Sequence, residues 1–196
     1  MQPMARVPPF DRPATYADLE RLPPEVVAEI VDDELHASPR PAPRHAWASS
    51  RLGESLGPPF HSGRDGPGGW VLLDEPELHL GRQVVVPDLA GWRRSRWSAL
   101  PETAYFTLAP DWVCEVVSPS TSSFDRVKKL AVYARVGVDH AWIIDPLAHS
   151  LEVLRLDHGH WTIVGAHAGR EVVRAEPFSD LALDLRGLWG DDIGDA

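Results

Sequence analysis

Up to about residue 69 the apolar positions recur mainly at helical spacing. From Trp70 onward they run together or alternate, as strands do. Residues 15–20 predict a short helix with Thr15 as its N-cap. Pro23-Pro24 interrupts the pattern, and residues 25–35 (EVVAEIVDDEL) predict a short helix or turn running into a strand. The prolines of residues 38–43 predict a loop, and Trp47, Leu52 and Leu56 place a helix over residues 45–56. Residues 57–69, rich in glycine and proline, predict another loop.

Residues 70–80 predict a strand, or two, with a kink at Pro76; Val84-Val85-Val86 is a short strand ending at Pro87-Asp88, and residues 93–110 are a connection. Residues 112–117 (WVCEVV) form a near-continuous apolar run, short and β-branched, which predicts a buried strand with one acid inside it. Ser118 to Ser123 is a turn rich in capping hydroxyls, followed by a helix over residues 124–136 that Gly137 terminates. Residues 141–146 predict another buried strand, and residues 151–156, 161–166 and 171–175 alternate as antiparallel hairpins do. A strand–helix–strand passage inside an otherwise hairpin-like sheet predicts a mixed α/β (α+β) fold. At 196 residues the chain predicts one domain over 1–196, with 1–13 and 190–196 as loose ends.

Composition narrows the class. An apolar fraction of 43% with 24% charged residues excludes disordered, collagenous and coiled-coil chains. The net charge of −10 argues against a general nucleic-acid coat protein, yet a metal-dependent nuclease needs carboxylates. Asp191, Asp192 and Asp195 of the tail are expected to be merely solvated. The single cysteine, Cys114, excludes a disulfide framework and lies in an apolar run, so it is expected to be buried and inert. The absence of a long apolar run and of a leader-like N-terminus predicts a soluble, cytoplasmic protein with no membrane partner. Of 19 basic residues only Lys128 and Lys129 are lysine, so this pair is not generic solubilising charge.

Two carboxylates have unusual company. Asp88 follows an apolar strand, and Glu115 lies within one. A buried charge is costly unless it is paired or binds a metal. Their separation leaves room for two neighbouring strands and a connection, on which the two acids would converge. Such a cluster of hard oxygens suits Mg2+ or Mn2+ rather than zinc. Either acid alone could equally be a strand-end group in solvent or a partner of arginine.

These residues carry a resemblance. Val86-Pro87-Asp88, the run from Cys114 to Thr121, Asp125-Arg126, Lys129-Leu130 with Tyr133 and Gly137, and Trp142 to Pro146 together resemble the Uma family of restriction-endonuclease-like proteins. That family lies in the PD-(D/E)xK nuclease superfamily. The likeness extends to Glu29-Ile30-Val31-Asp32, Ser38-Pro39 and His45. It implies a mixed sheet flanked by helices, Asp88 and Glu115 as ligands of Mg2+ or Mn2+, and hydrolysis of DNA phosphodiester bonds, carried out by a homodimer. The superfamily lysine normally comes two residues after the acid, where this chain has Val117; the resemblance places it on the following helix, at Lys129. Helical periodicity does not choose between Lys128 and Lys129: Val127, Ala131 and Ala134 make one apolar face, and Lys129 lies off it, next to Asp125 at i,i+4. Glu29 is implied as an ancillary acid from an early helix, its alternative being an exposed helix acid.

Arg126, Arg93 and Arg94, with Arg96, are candidates for phosphate contact, the alternative being a solvated loop for all but Arg126. His45 is expected as a helix-start cap or on the surface, the alternative being an approach to the cleft. Trp70, Trp112, Trp142 and Trp161 are expected in the core. Two functions remain: a Mg2+-dependent DNA endonuclease, or a nuclease-fold protein that binds nucleic acid or a protein without cutting. Whether Lys129 reaches the acids discriminates them.

Overall fold

The computed structural model describes residues 5–6 and 12–191, so the expectation of loose ends at 1–13 and 190–196 falls mostly outside the described residues, as do Asp192 and Asp195. The described part of the N-terminal stretch pairs as a short strand, Ala5–Arg6 (β1). Thr15 starts the helix Tyr16–Leu19 (α1) as expected, with its N–H donating to Asp18 at 2.9 Å.

Residues 25–35 are not helical. Val26–Val31 (β2) and Glu34–Pro39 (β3) form an antiparallel hairpin. Its turn is Asp32-Asp33, both at positive φ (51° and 66°), the conformation that two-residue hairpins need and that aspartate tolerates. The sequence VVAEIV fits either period, and the turn decides it. Pro43–Leu56 (α2) follows, with proline at its first turn and Ala48, Leu52 and Leu56 buried. The backbone then continues as a wider turn over Gly57–His61.

Trp70–Asp74 (β4) and Leu78–Leu80 (β5) are two strands in different sheets, with Pro76 between them. Gln83–Val85 (β6) pairs with β5 and touches β2 at Ile30, giving the sheet order β1-β3-β2-β6-β5. Leu89–Arg93 (β7) was not expected from the pattern, because it is short and contains Gly91. Trp112–Val116 (β8), His140–Asp145 (β9), Ser150–Asp157 (β10) and His160–Ala168 (β11) fall where the apolar patterns put strands. They complete the larger sheet, β11-β10-β9-β8-β7-β4. Its one parallel pair is β8–β9, bridged by a helix, as parallel neighbours require. Val172–Val173 (β12) and Leu183–Asp184 (β13) make a small ribbon, and Arg186–Trp189 (α4) follows.

The bridging helix departs from the sequence expectation. Phe124–Lys129 is wound as a π-helix and passes into the α-helix Leu130–Arg135 (α3). The wider turn rotates the side chains. Val127, placed on the apolar face by ordinary periodicity, is 63% exposed, and Lys129 is 3% exposed.

Both faces of the larger sheet are covered, which is why β8 is buried along its whole length. One face packs Trp112, Cys114, Val116, Trp142 and Ile144 against α2 and the C-terminal segment. Here Phe178 lies 4.9 Å from the rings of both Trp70 and Trp112. The other face packs Trp92, Val113, Val117 and Ile143 against α3 and the strands of the smaller sheet. Trp161 is only half buried; its indole N–H donates to the Leu130 carbonyl at 2.8 Å. Among the described residues no helix is long and apolar enough to cross a membrane.

Gly91 sits where β7 meets two indoles. An added Cβ would lie 2.9 Å from Leu72, 3.1 Å from Trp112 and 3.3 Å from Trp70. Gly91→Ala is therefore expected to lower stability by about 1–3 kcal/mol in urea denaturation, the usual scale of overpacking a tight core. An unchanged midpoint would show that the indoles yield freely.

Candidate active site

Strand register brings the two predicted acids together. Leu89 of β7 is paired with Cys114 of β8, so Asp88, one residue earlier, lies across from Glu115, one residue later. The backbone N–H of Val116 donates to Asp88 Oδ2 at 2.6 Å and fixes that carboxylate. Alternation along β8 sends Cys114 and Val116 to the α2 face and Glu115 to the opposite one, towards α3.

Lys129 arrives from the π-helical turn that leads into α3. Its Nζ donates to Glu115 Oε2 at 2.8 Å and to the Val86 carbonyl at 2.9 Å, and lies 3.0 Å from Glu29 Oε1. These partners match the three hydrogens of an ammonium. Glu29 is on β2, not on a helix, and it is 4% exposed, not solvated. It also accepts the Val86 N–H at 2.9 Å. Tyr133 donates its hydroxyl to Glu115 Oε1 at 2.5 Å. Asp125 lies 3.9 Å from the ammonium, so the expected i,i+4 pair exists, but it is buried. Lys128 points elsewhere, 42% exposed and 3.8 Å from Asp32.

Glu29, Asp88, Glu115, Asp125 and Lys129 line a cavity of about 270 Å3 that also receives His45, whose Nε2 lies 3.1 Å from Asp88 Oδ1. His45 is thus in the cleft, contrary to the expectation of a capping or surface role. Nothing in the local sequence marks it, because α2 carries it in from a distant part of the chain. The three predicted arginines do not line the cavity. Arg126 pairs with Glu152, and the Arg93 guanidinium covers the Trp70 ring at 4.0 Å. Arg94 donates to the carbonyls of His61 and Trp70, at 3.0 Å each. The arginine that does line the cavity is Arg40, which the sequence did not single out.

Charge governs the chemistry available here. Burial pushes the Glu115 carboxyl well above its ordinary range, with Lys129 pulling against it and neighbouring acids adding to it. Burial also opposes the Lys129 ammonium, but the attraction of Glu115 and Glu29 outweighs it and holds the amine well above its usual value. Lys129 therefore stays a cation and hydrogen-bond donor at neutral pH. Burial raises Asp125 to about 7. His45 is raised despite burial, by its contact with Asp88.

The donor set, all carboxylate oxygens, has the hard character that Mg2+ or Mn2+ prefers. Asp88 and Glu115 are the residues that could hold such an ion. Among the described residues, no three carboxylate, imidazole or thiol groups are gathered closely enough to do so alone. Water or backbone oxygens would have to complete the shell, as is usual for Mg2+.

The family model described as "Uma2: Putative restriction endonuclease" matches residues 13–186. A crystal structure of a putative nuclease belonging to DUF820 from Anabaena variabilis superposes with a TM-score of 0.74 and 22% identity. The match covers 91% of this chain and 98% of that one, and shows the fold. No curated protein matches the chain.

The raised Asp125 has a consequence for stability. Its folded value, about 7, is above that of the unfolded chain. Between roughly pH 4 and 7 the folded state then binds more protons, so this group's contribution is full below that window and is lost as pH rises through 7. Thermal melts in EDTA should show that Asp125→Asn loses less stability than wild type between pH 5 and 8, by up to roughly 3 kcal/mol. Parallel pH profiles of the two proteins would contradict the assignment.

Proposed function

We propose that this chain, which belongs to the Uma2 putative restriction endonuclease family, is a nuclease that hydrolyses DNA phosphodiester bonds with Mg2+ or Mn2+. The observation that supports this most is the buried contact between Lys129 and Glu115, with Asp88 on the adjoining strand. The lysine that superfamily nucleases carry two residues after the acid is replaced by Val117 here, and an ammonium from the next helix takes its place beside the carboxylates.

Asp88 and Glu115 would hold the divalent ion. When bound, such an ion lowers the pKa of a coordinated water and offsets charge building on the phosphoryl oxygens. Lys129 supplies a fixed positive charge and donor N–H groups at the same point. It stays protonated, so it orients and neutralises rather than abstracting a proton. Glu29 holds that ammonium and the Val86 N–H together and so sets the lysine's position. Burial in a preorganised site strengthens each of these interactions relative to water. Arg126, Arg93 and Arg94 are assigned to phosphates further along the DNA, outside the cavity. A homodimer would present two such sites to the two strands of a duplex. With a net charge of −10, binding depends on the metal and on local contacts rather than on general attraction to DNA.

Plasmid cleavage in Mg2+ or Mn2+ tests the reading. Wild type is expected to cut, and Asp88→Ala and Glu115→Ala to lose about 100-fold or more, as when one preorganised electrostatic element is removed. Cleavage undiminished in Asp88→Ala would sink the proposed site. Absence of cleavage by wild type would leave the fold as a binding module. In the same assay Lys129→Arg should lose far more activity than Lys128→Arg, because a guanidinium does not fit the space of a buried ammonium. Equal losses would refute the choice of lysine.

A further inference from the structure

Asp88 is held from two sides. The Val116 N–H binds its Oδ2 at 2.6 Å, and His45 Nε2 lies 3.1 Å from its Oδ1. The carboxylate plane is thereby fixed, and each oxygen keeps a free lone pair. The His45 ring is 14% exposed, and its Nδ1 is buried with no hydrogen-bond partner among the described residues. The ring's one polar contact is therefore the one to Asp88. An imidazole costs more to desolvate than an apolar side chain, so packing alone does not account for a histidine at this point of α2.

We infer that His45 is a positioning residue that orients Asp88 for a divalent cation. The inference rests on the reading of Asp88 as a metal ligand. Nε2–H donates to Oδ1, Val116 N–H donates to Oδ2, and the carboxylate is held ready before an ion arrives. A carboxylate free to rotate would lose that orientation on each binding event. Partners of this kind typically affect metal affinity by about 10–100-fold. Because α2 also packs against the larger sheet through Ala48, Leu52 and Leu56, His45 ties the orientation of Asp88 to the helix that covers that face.

Isothermal titration of the full chain with Mn2+ reads the effect without requiring activity. His45→Ala is expected to weaken Mn2+ binding by about 10–100-fold. Two further variants separate positioning from packing. A glutamine amide reaches the place of Nε2, whereas an asparagine amide reaches only that of Nδ1. His45→Gln should stay within about threefold of wild type, and His45→Asn should bind as weakly as His45→Ala. Equal weakening in the Gln and Asn variants would overturn the inference, since a lost packing contact would produce that result. Wild-type affinity in all three variants would overturn it as well, while leaving Asp88 as a ligand. If wild type binds no Mn2+, the ligand reading of Asp88 falls, and the role of His45 falls with it.

Discussion

The architecture of the cleft depends on one constraint: an ammonium with 3% of its side chain exposed must be matched by acceptors on every side. Lys129 satisfies it with Glu115 from β8, Glu29 from β2 and the Val86 carbonyl just past β6. Those acceptors come from two strands and from the residue that follows a third, in two different sheets. Removing one partner of a buried pair costs roughly 3–5 kcal/mol, because the other charge is left uncompensated. The contact therefore fixes how the β2–β3 hairpin, the end of β6 and the helix after β8 sit around one point.

The wider turn over Phe124–Lys129 makes this geometry possible. Regular α-helical winding would have left Val127 inward and turned Lys129 away. The π-type winding exposes Val127 and buries Phe124, Asp125 and Lys129 together. Such turns are costly in isolation and are often found at functional sites. Here the buried Lys129 charge is offset by Glu115 and Glu29, and it in turn opposes the burial of the Asp125 carboxylate on the same turn.

The cleft holds more carboxylates than cations. Glu29, Glu75, Asp88, Glu115 and Asp125 share one cavity with Lys129, Arg40 and His45. Crowding and desolvation both oppose ionisation of these acids, and they push Asp125 and Glu115 upward. A divalent ion between Asp88 and Glu115 would relieve that crowding. On the proposed function, the same acidity would disfavour a phosphate in the cleft without a divalent ion, which would link metal and substrate affinity.

Local sequence determined a good deal. Strand β8 was legible from its unbroken apolar run, and β9, β10 and β11 from their spacing and alternation. Asp88, Glu115 and Lys129 were legible as acids in apolar strands and as one of two lysines in an arginine-rich chain, with the family resemblance deciding between the lysines. What stayed hidden depends on contacts between distant segments. Residues 25–35 fit two periods until an Asp-Asp turn and the pairing with β3 made them a hairpin, which turned Glu29 from a helix acid into a buried strand acid. Nothing near His45 marks it as a partner of Asp88, because that contact exists only once α2 lies beside the end of β7. Arg93, Arg94 and Arg126 carry the right charge, but strand direction and their own partners keep them out of the cavity. A sequence records which groups are chemically able to act. Which of them meet is decided by register, sheet order and helix winding, and these follow from long-range burial and pairing rather than from any local pattern.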